Sequence, residues 1–295
     1  MSYNIKQFQR DFPNDEVCLD YIFKNRFSAL KCPQCGKNTF YRMKGLKKYN
    51  CACGYQISPT ANTIFHKSDT KLTDWFFAIY LESQAKNGVS AKELQRHIGC
   101  TYKTAWRIGH KIKSLMKENN GMLSGIVEAD ETYVGGKTFS ANRHKNKGIV
   151  MAMVQRKGKV ITKQVPDSST ASLLGTIKEN VKIGTRIITD DNSAYKPNKV
   201  MRMGMLHDRI NHSKREYVKG DIYTNTVEGF FSQFKRSIDG TYHSVSLKHL
   251  QAYADQFAFH YNHRVSCFEA LLGRLISLPY QEGQKIVSFE GVKVS

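Results

Sequence analysis

Three acidic residues occupy positions at which a carboxylate requires a partner. Asp130 lies in the apolar stretch 126–136, whose length, β-branched residues and terminal Gly-Gly predict a buried strand. Burying an ionised carboxylate costs on the order of several kcal/mol unless a cation or hydrogen bonds compensate its charge. A metal ion is the simplest such compensation, so we interpret Asp130 as a candidate metal ligand.

Two other segments present carboxylates in comparable positions. Asp190 and Asp191 end a short β-rich run that starts at residue 185 and is followed by turn residues. Glu228 belongs to the segment 224–236, in which apolar residues recur with helical spacing: Val227, Phe230, Phe231 and Phe234. Two aspartates from strands and one glutamate from a helix could together hold a metal ion. At this point either Asp190 or Asp191 could supply the second ligand.

Four cysteines form a second constellation. They occur as two pairs, each followed by a glycine: Cys32 with Cys35, and Cys51 with Cys53. A turn of this composition lets two thiolates meet one ion, so the pairs predict one structural Zn²⁺ on a ribbon. The chain before about Lys67 shows no other core, and a ribbon this small needs its metal to fold. Removing zinc is therefore expected to unfold the ribbon.

The fourth zinc ligand is left open by the sequence, because the second cysteine pair is one residue shorter than the usual knuckle. The alternatives are Cys53, His66 and Cys18. Outside the zinc site, Cys18, Cys100 and Cys267 have the character of isolated buried thiols. Seven cysteines in 295 residues do not indicate a disulfide scaffold.

The overall composition favours a polyanionic partner. Lys and Arg number 45 against 25 Asp and Glu, which gives a formal net charge of +20. Such an excess is typical of proteins that bind nucleic acid, with charge that only maintains solubility as the alternative. The sequence contains no run of about 18 apolar residues, and its polar start lacks a signal-peptide core. We therefore expect a cytoplasmic protein without membrane contact.

Helical periodicity begins at Leu72 and favours a recognition module. After a break at residues 87–88, a capping box at 90–93 opens a short helix that ends at Gly99, and Thr101 can cap a longer one. Two helices joined by a glycine-containing turn predict a helix-turn-helix, with a helical hairpin that binds no DNA as the alternative. The second helix would turn five side chains toward a DNA groove: Tyr102, Lys103, Arg107, His110 and Lys111.

The acids themselves lie in a segment where strands and helices alternate. Apolar runs at 149–154 and 160–165 are joined by a Lys-Gly-Lys turn and predict a β-hairpin. Ser168 to Thr170 can cap a helix that leads to the Asp190 strand, and the Glu228 helix follows. This order predicts an α/β domain with a mixed sheet.

Five sequence motifs accompany these acids. They are Asp130-Glu-Thr-Tyr-Val-Gly-Gly, Thr189-Asp190 with Tyr195 beyond it, Thr224-Asn225-Thr-Val-Glu228-Gly-Phe-Phe with Lys235-Arg236, Gly240-Thr-Tyr-His243 with Lys248-His249-Leu250, and Tyr261-Asn-His-Arg264. Together they resemble the ISXO2-like transposases of the IS1595 insertion-sequence family. The resemblance covers nearly the whole chain, because that family also carries an N-terminal zinc ribbon, here ending with Thr60-Ala-Asn-Thr-Ile-Phe-His66.

The resemblance implies an activity and a domain organisation. The domains would be a zinc ribbon at 1–68, a helix-turn-helix DNA-binding domain at 69–120 and a ribonuclease-H-like DDE transposase domain at 121–295. The chain would then cut and join DNA at the ends of its own element. The family pattern places the second aspartate after a threonine and five residues before a tyrosine, which selects Asp190. Glu128 lies on the same strand face as Asp130 and stays a rival ligand, whereas Glu131 faces the other side.

The family resemblance also implies a chemistry. Asp130, Asp190, Glu228 and Lys235 would be catalytic, and the three acids would hold two Mg²⁺ ions about 3.5–4 Å apart, with Mn²⁺ as a substitute. Because close carboxylates repel one another without metal, we expect raised pKa values. Lys235 follows Glu228 by about two helical turns and would contact a DNA phosphate. Asn225 is either an active-site residue or the N-cap of this helix.

The expected partner is double-stranded DNA, both the terminal inverted repeats and the target. Asn225, Lys235, Arg236 and His243 would contact it, and the affinity would depend strongly on salt. Joining two DNA ends at once implies at least a homodimer on DNA, associated with the nucleoid in a bacterial cytoplasm. The alternative is a non-catalytic DNA-binding protein derived from a transposase, which would bind without Mg²⁺ and never nick.

Overall fold

The computed structural model describes residues 3–119, 121–135, 147–210 and 218–277. These residues form two compact units. The first contains 3–84, 94–115 and 268–277, and the second contains 85–93 and the described part of 116–267. Asn120 of the segment between the predicted domains and Gly136 of the predicted strand end lie outside the described residues. None of the described helices is long and apolar enough to cross a membrane.

The described helices and strands follow one another as expected for an α/β chain with an N-terminal ribbon. They are α1 (Ile5–Asp11), α2 (Asp15–Arg26), β1 (Phe40–Arg42), β2 (Tyr49–Cys51), β3 (Gln56–Ile57), α3 (Leu72–Gln84), α4 (Ala91–Ile98), α5 (Tyr102–Leu115), β4 (Ile126–Val134), β5 (Gly148–Gln155), β6 (Val160–Val165), α6 (Thr170–Asn180), β7 (Arg186–Thr189), α7 (Pro197–Met201), β8 (Leu206–Arg209), α8 (Asn225–Ser237), α9 (Leu250–Asn262) and α10 (Cys267–Ile276).

The first unit begins with two helices that the sequence analysis did not predict. α1 and α2 each start after an asparagine whose side chain accepts a backbone N–H of the first turn. Aromatic rings in this region pack with rings of α3. The ring centroids of Phe8 in α1 and Tyr80 are 5.1 Å apart, and those of Phe12, directly after α1, and Phe76 are 4.8 Å apart. Phe268 of α10 joins the same cluster. The expectation that no core precedes about Lys67 is therefore wrong, because the partners of these rings lie far along the chain.

The predicted helical segments after Leu72 are present as α3, α4 and α5. The Ser90 and Thr101 hydroxyls each accept the backbone N–H three residues later, as the capping pattern predicted. Gly99 ends α4 with a φ of 72°. α3 and α5 are linked by an ion pair between Glu82 and Lys113, with an N–O distance of 3.2 Å. Because both side chains are almost completely buried, removing either is expected to be destabilising.

The second unit is built on a five-stranded mixed sheet with the strand order β6-β5-β4-β7-β8. β4, β5 and β6 pair antiparallel, whereas β7 runs parallel to β4 and β8 runs parallel to β7. The predicted mixed sheet and the predicted β5–β6 hairpin are confirmed. β8 was not predicted, since its four residues Leu-His-Asp-Arg carry no clear apolar alternation.

Helices cover both faces of this sheet. On one face, Val127 and Ala129 of β4 pack with the apolar side of α6. On the other face, alternate residues of β5 pack with apolar side chains of α8 and α9, including Phe234 and Phe257. Successive residues of a strand face opposite sides, so Glu128 and Asp130 point toward α8.

β6 is an edge strand whose outward backbone groups are occupied by side chains of α9. Asn262 accepts the Val160 N–H at 2.8 Å and donates to the Val160 carbonyl at 3.0 Å. Gln251 accepts the Gln164 N–H at 2.5 Å and donates to the Thr162 carbonyl at 3.2 Å. These two amides take the positions that the backbone of a neighbouring strand would otherwise take.

Residues 85–93 pack against α8 and α9 within the second unit. The Asn87 side-chain oxygen accepts hydrogen bonds from Ser237 and Gln233 of α8. Gly88 follows with a φ of 73°. A Cβ atom at Gly88 would lie 1.8 Å from the hydroxyl oxygen of Tyr242, so only glycine fits this position.

Candidate functional site

Asp130 lies in the middle of β4, and Asp190 directly follows β7, the strand that runs parallel to β4. Glu128 pairs with Ile188 in the β4–β7 register, and each aspartate lies two residues further along the chain. Glu228 lies in the first turn of α8, close enough to Asp130 for its charge to act on that carboxyl. Burial, followed by the charges of Asp190, Glu131 and Glu228, raises the pKa of Asp130 to about 7. The expected rise in pKa is confirmed for Asp130.

One oxygen of each predicted acid is held by a neighbouring group. Asp130 Oδ1 accepts the backbone N–H of Glu131 at 2.8 Å, and Asp190 Oδ1 accepts that of Asn192 at 3.1 Å. Glu228 Oε1 accepts the hydroxyl of Thr224 at 2.7 Å. These contacts fix the orientation of the three carboxylates relative to their strands and helix.

Glu131 has a role that the sequence analysis missed. Its carboxylate accepts the side-chain amide of Asn192 at 2.7 Å and the hydroxyl of the buried Tyr195. Burial and the charge of Asp190 raise the pKa of Glu131, against these hydrogen bonds, which lower it. Glu131 thus ties the loop that carries Asp190 to β4. Strand alternation predicted that Glu131 faces the side of β4 opposite to Asp130, but nothing in the sequence indicated its hydrogen-bond partners.

Glu128 is fully buried and has no acceptor position left for a metal ion. Its Oε1 accepts Arg156 Nε at 2.7 Å and the Thr226 hydroxyl at 2.8 Å, and its Oε2 accepts the backbone N–H groups of Thr226 and Val227 at 2.8 and 3.1 Å. An ionised carboxylate offers about four acceptor sites in total. This geometry disfavours Glu128 as the rival of Asp130.

α8 carries several of the predicted DNA-contacting residues. Asn225 is the first helical residue and Thr224 occupies the N-cap position, so the N-cap alternative for Asn225 is wrong. Lys235 and Arg236 lie exposed in the last turn. A π-helical turn follows α8, and His243 comes after it, exposed and with a φ of 60°.

α5 presents four of its five predicted side chains on an accessible face. Tyr102, Lys103 and Arg107 are exposed, and the His110 ring packs on Trp106 with 4.0 Å between centroids. The predicted outward orientation of Lys111 is wrong. Its ammonium donates to the Ile64 carbonyl at 2.8 Å, and burial followed by the charge of Arg107 lowers its pKa.

The four cysteines form a compact ligand cluster. The Sγ atoms of Cys32, Cys35, Cys51 and Cys53 all lie within 4.8 Å of one another. The Cys32–Cys53 and Cys35–Cys51 sulfur distances are 3.5 and 3.4 Å, near the roughly 3.8 Å edge of a tetrahedron with Zn–S bonds of about 2.3 Å. Cys53 therefore completes the set in place of His66 or Cys18. The glycine after each pair has a positive φ, 71° and 92°, which permits both tight turns.

The cysteines are the only group of three or more Cys, His, Asp or Glu within that distance among the residues that the structure describes. The carboxylates of Asp130, Asp190 and Glu228 are thus close enough to interact electrostatically but are more widely spaced than a closed ligand cage. A cation between them would relieve the repulsion that raises the pKa of Asp130.

Two family models match the chain in the segments that hold these clusters. A transposase zinc-ribbon domain model of the IS1595 type matches residues 13–56, and an ISXO2-like transposase domain model matches residues 122–262. The two matches together span more than half of the sequence. The chain belongs to the IS1595 transposase family. In this IS1595-family chain, the transposase-domain match runs from just before β4 to the end of α9 and contains all three acids.

Two curated relatives are similar to this IS1595-family chain. A protein in the transposable element ISH50 of Halobacterium salinarum is 24% identical over 254 residues, which cover 78% of this chain and 84% of that protein. A transposase-like protein of Haemophilus influenzae is 29% identical over 106 residues, 36% of this chain and 83% of its own length.

A solved structure also aligns with this IS1595-family chain. It is a chain from the cryo-EM structure of the simian T-cell lymphotropic virus intasome in complex with the PP2A regulatory subunit B56 gamma. The alignment covers 75% of this chain and 78% of that chain, at 14% identity and a TM-score of 0.32.

Proposed function

We propose that this IS1595-family chain is a DDE transposase that binds the terminal inverted repeats of its element and catalyses Mg²⁺-dependent DNA cleavage and strand transfer. The observation that carries the proposal is the convergence of Asp130, Asp190 and Glu228 from two parallel strands and a helix. Burial, followed by the charges of Asp190, Glu131 and Glu228, raises the pKa of Asp130 to about 7. A divalent cation relieves such repulsion and displaces the proton.

The residues present fit this metal and leave clear tasks to the protein. Asp130, Asp190 and Glu228 would hold Mg²⁺, which supplies activation of the attacking oxygen and stabilisation of the leaving oxygen. The hydrogen bonds from Glu131, Asn192 and Thr224 keep each carboxylate oriented. Lys235 lies exposed toward the end of the helix that carries Glu228, where it would hold a DNA phosphate.

The mixed sheet with helices on both faces supports a ribonuclease-H-like fold for the proposed catalytic domain at 121–295. We assign the zinc ribbon at 1–68 and a helix-turn-helix at 69–120 to recognition of the repeats. Exposed Tyr102, Lys103 and Arg107 on α5 support this, as does the net charge of +20. His110 and, on the catalytic side, Asn225, Arg236 and His243 complete the proposed DNA contacts. At least two copies would be needed to join two ends.

The proposed function is tested on a labelled DNA duplex that carries the terminal repeat of the element. Wild type is expected to nick the 3′ end and to transfer the strand with Mg²⁺ or Mn²⁺. Asp190→Ala should abolish nicking because it removes a metal ligand. Asp191→Ala is the matched control, since it removes the neighbouring carboxylate, and it should retain activity.

The pattern of results separates the alternatives. Nicking by Asp190→Ala but not by Asp191→Ala would show that Asp191, and not Asp190, is the second metal ligand. If the wild-type protein binds the repeat tightly but cuts it with neither Mg²⁺ nor Mn²⁺, the chain is a non-catalytic DNA-binding protein and not an enzyme.

A further inference from the structure

We infer that Glu128, together with Arg156, is a positioning residue that fixes the helix carrying Glu228 relative to Asp130. The inference rests on the proposed DDE chemistry, because it concerns the distance between two proposed metal ligands, Asp130 and Glu228. Glu128 and Arg156 would keep that distance fixed. Glu128 and Asp130 lie two residues apart on one face of β4, and Val227, which donates to Glu128, directly precedes Glu228. A short chain of bonds therefore connects the two proposed metal ligands.

Glu128 acts as the N-terminal cap of α8 from a distant part of the sequence. Thr224, at the N-cap position, makes no side-chain cap hydrogen bond. The N–H groups of Thr226 and Val227 donate instead to Glu128 Oε2, across 98 and 99 residues of sequence. A negative charge at this end also interacts favourably with the helix dipole. A local cap would leave α8 able to shift along the sheet, whereas this one attaches its first turn to β4.

Arg156 holds the segment that immediately precedes α8, residues 221–223. Its Nε donates to Glu128, while Nη1 and Nη2 donate to the carbonyls of Asp221 and Tyr223 at 2.6 and 2.9 Å. Its guanidinium carbon lies 3.6 Å from the centre of the Tyr223 ring. Arg156 thus neutralises the buried carboxylate and fixes the residues immediately before Thr224, whose hydroxyl orients Glu228. The planar, multidentate geometry is specific to arginine.

The segment before α8 has a further attachment to the parallel part of the sheet. Arg186 of β7 pairs with Asp221 and also with Asp208 of β8, the latter at 2.5 Å. The strand that delivers Asp190 is therefore connected to the same loop. The three proposed metal ligands are therefore all carried by segments that one network of ion pairs and hydrogen bonds connects, from the buried Glu128 to the exposed Asp221.

The test compares Glu128→Gln with wild type in the full-length protein. Glutamine keeps the size of the side chain but removes the charge and one acceptor oxygen. We expect Mn²⁺ affinity, measured by calorimetry without DNA, to fall by about tenfold or more, as is common when groups that orient metal ligands are changed. The Mg²⁺ concentration for half-maximal nicking should rise in parallel. Arg156→Lys keeps the positive charge but cannot make all three hydrogen bonds of the guanidinium. It should lower the Mn²⁺ affinity and raise the required Mg²⁺ concentration, each by less than Glu128→Gln does.

The matched control is Glu82→Gln, which neutralises a similarly buried ion pair in the first unit. It should lower the Tm without changing Mn²⁺ affinity or the Mg²⁺ midpoint. If Glu128→Gln also lowers only the Tm, Glu128 serves stability alone and the inference is overturned. Should Glu128→Gln fail to fold, Thr226→Val removes one of the four donors and carries the same test.

Failure of the proposed function would give a different result. Wild type would then neither bind Mn²⁺ nor nick, although folded and bound to DNA, and the positioning role would fall with it. Wild-type nicking combined with unchanged metal dependence in Glu128→Gln, Arg156→Lys and Thr226→Val would instead overturn the positioning role alone.

Discussion

Glu128 and Asp130 are the same kind of group on the same face of one strand, yet their surroundings give them opposite properties. Glu128 meets an arginine and three further donors, whereas Asp130 is held through one backbone N–H and lies near three other acids. The first carboxylate is fully satisfied by protein groups. The second accepts one backbone hydrogen bond and is close to like charges, which is why Asp130, and not Glu128, fits the proposed metal site.

His207 offers a test at the same residue scale, through the pH dependence of stability. Its Nε2 lies 3.0 Å from the Thr189 hydroxyl, which itself donates to the Asp190 carbonyl, and its buried Nδ1 has no partner. Burial, followed by the charge of Arg209, lowers the pKa of His207 to about 4. The neutral form is therefore favoured in the folded state. The stability that His207 contributes is complete above the ordinary histidine pKa of about 6.5 and is lost as the pH falls toward 4.

We expect the free energy of unfolding to fall less steeply in His207→Gln than in wild type as the pH is lowered from 6.5 to 4. The change in slope should be a fraction of the ~1.4 kcal/mol per pH unit that one proton contributes, because solvent reaches part of the ring. Denaturant unfolding at a series of pH values measures it. Parallel curves for the two proteins would contradict the assignment of a neutral buried histidine.

At the scale of secondary-structure elements, the ribbon depends on four sulfurs that meet from two turns. Cys53→Ala is expected to reduce bound zinc below one ion per chain and to unfold the β1–β3 sheet, because metal binding supplies folding free energy in so small an element. Metal analysis and circular dichroism measure both effects. Cys100→Ala is the matched control, since Cys100 lies outside the cluster, and full loss of zinc in that variant would contradict the ligand set.

The segment 85–93 offers a second test of an element, at Gly88. Gly88→Ala places a methyl group 1.8 Å from the Tyr242 hydroxyl oxygen and also requires a positive φ. We expect a loss of about 1–3 kcal/mol in unfolding free energy. Gly184→Ala has a comparable φ of 83° and nothing within 4 Å, so it isolates the backbone contribution. Equal losses in the two variants would show that the contact with Tyr242 contributes nothing.

At the scale of the whole molecule, the charge of +20 should make DNA binding strongly salt dependent. Arg107→Gln removes an exposed charge from α5 and is expected to reduce the slope of log K against log salt by about one phosphate contact. Lys111→Gln should lower stability but leave the slope unchanged, because its ammonium is bonded to the Ile64 carbonyl. Binding is measured over a salt series for both variants, and a slope reduced in Lys111→Gln as much as in Arg107→Gln would place Lys111 at the DNA.

The sequence predicted those parts of the fold and site that depend on local pattern. The apolar runs around Asp130 and at 149–165, the capped helices and the cysteine pairs all have periodic or short-range signals. The aromatic cluster has none, because rings in and near α1 and α2 pack with rings of α3 and α10 that lie more than 50 residues later in the sequence. The same holds for the Glu128–Arg156 pair and for Lys111, whose partners are set by tertiary packing.

The capped edge of β6 affects how this chain behaves at high concentration. A strand from another molecule can extend a sheet only where backbone N–H and C=O groups are accessible. At β6 an incoming strand would first have to displace the Asn262 and Gln251 amides from Val160, Thr162 and Gln164. The addition of a strand from a second molecule at this edge is therefore opposed by two side chains of one helix.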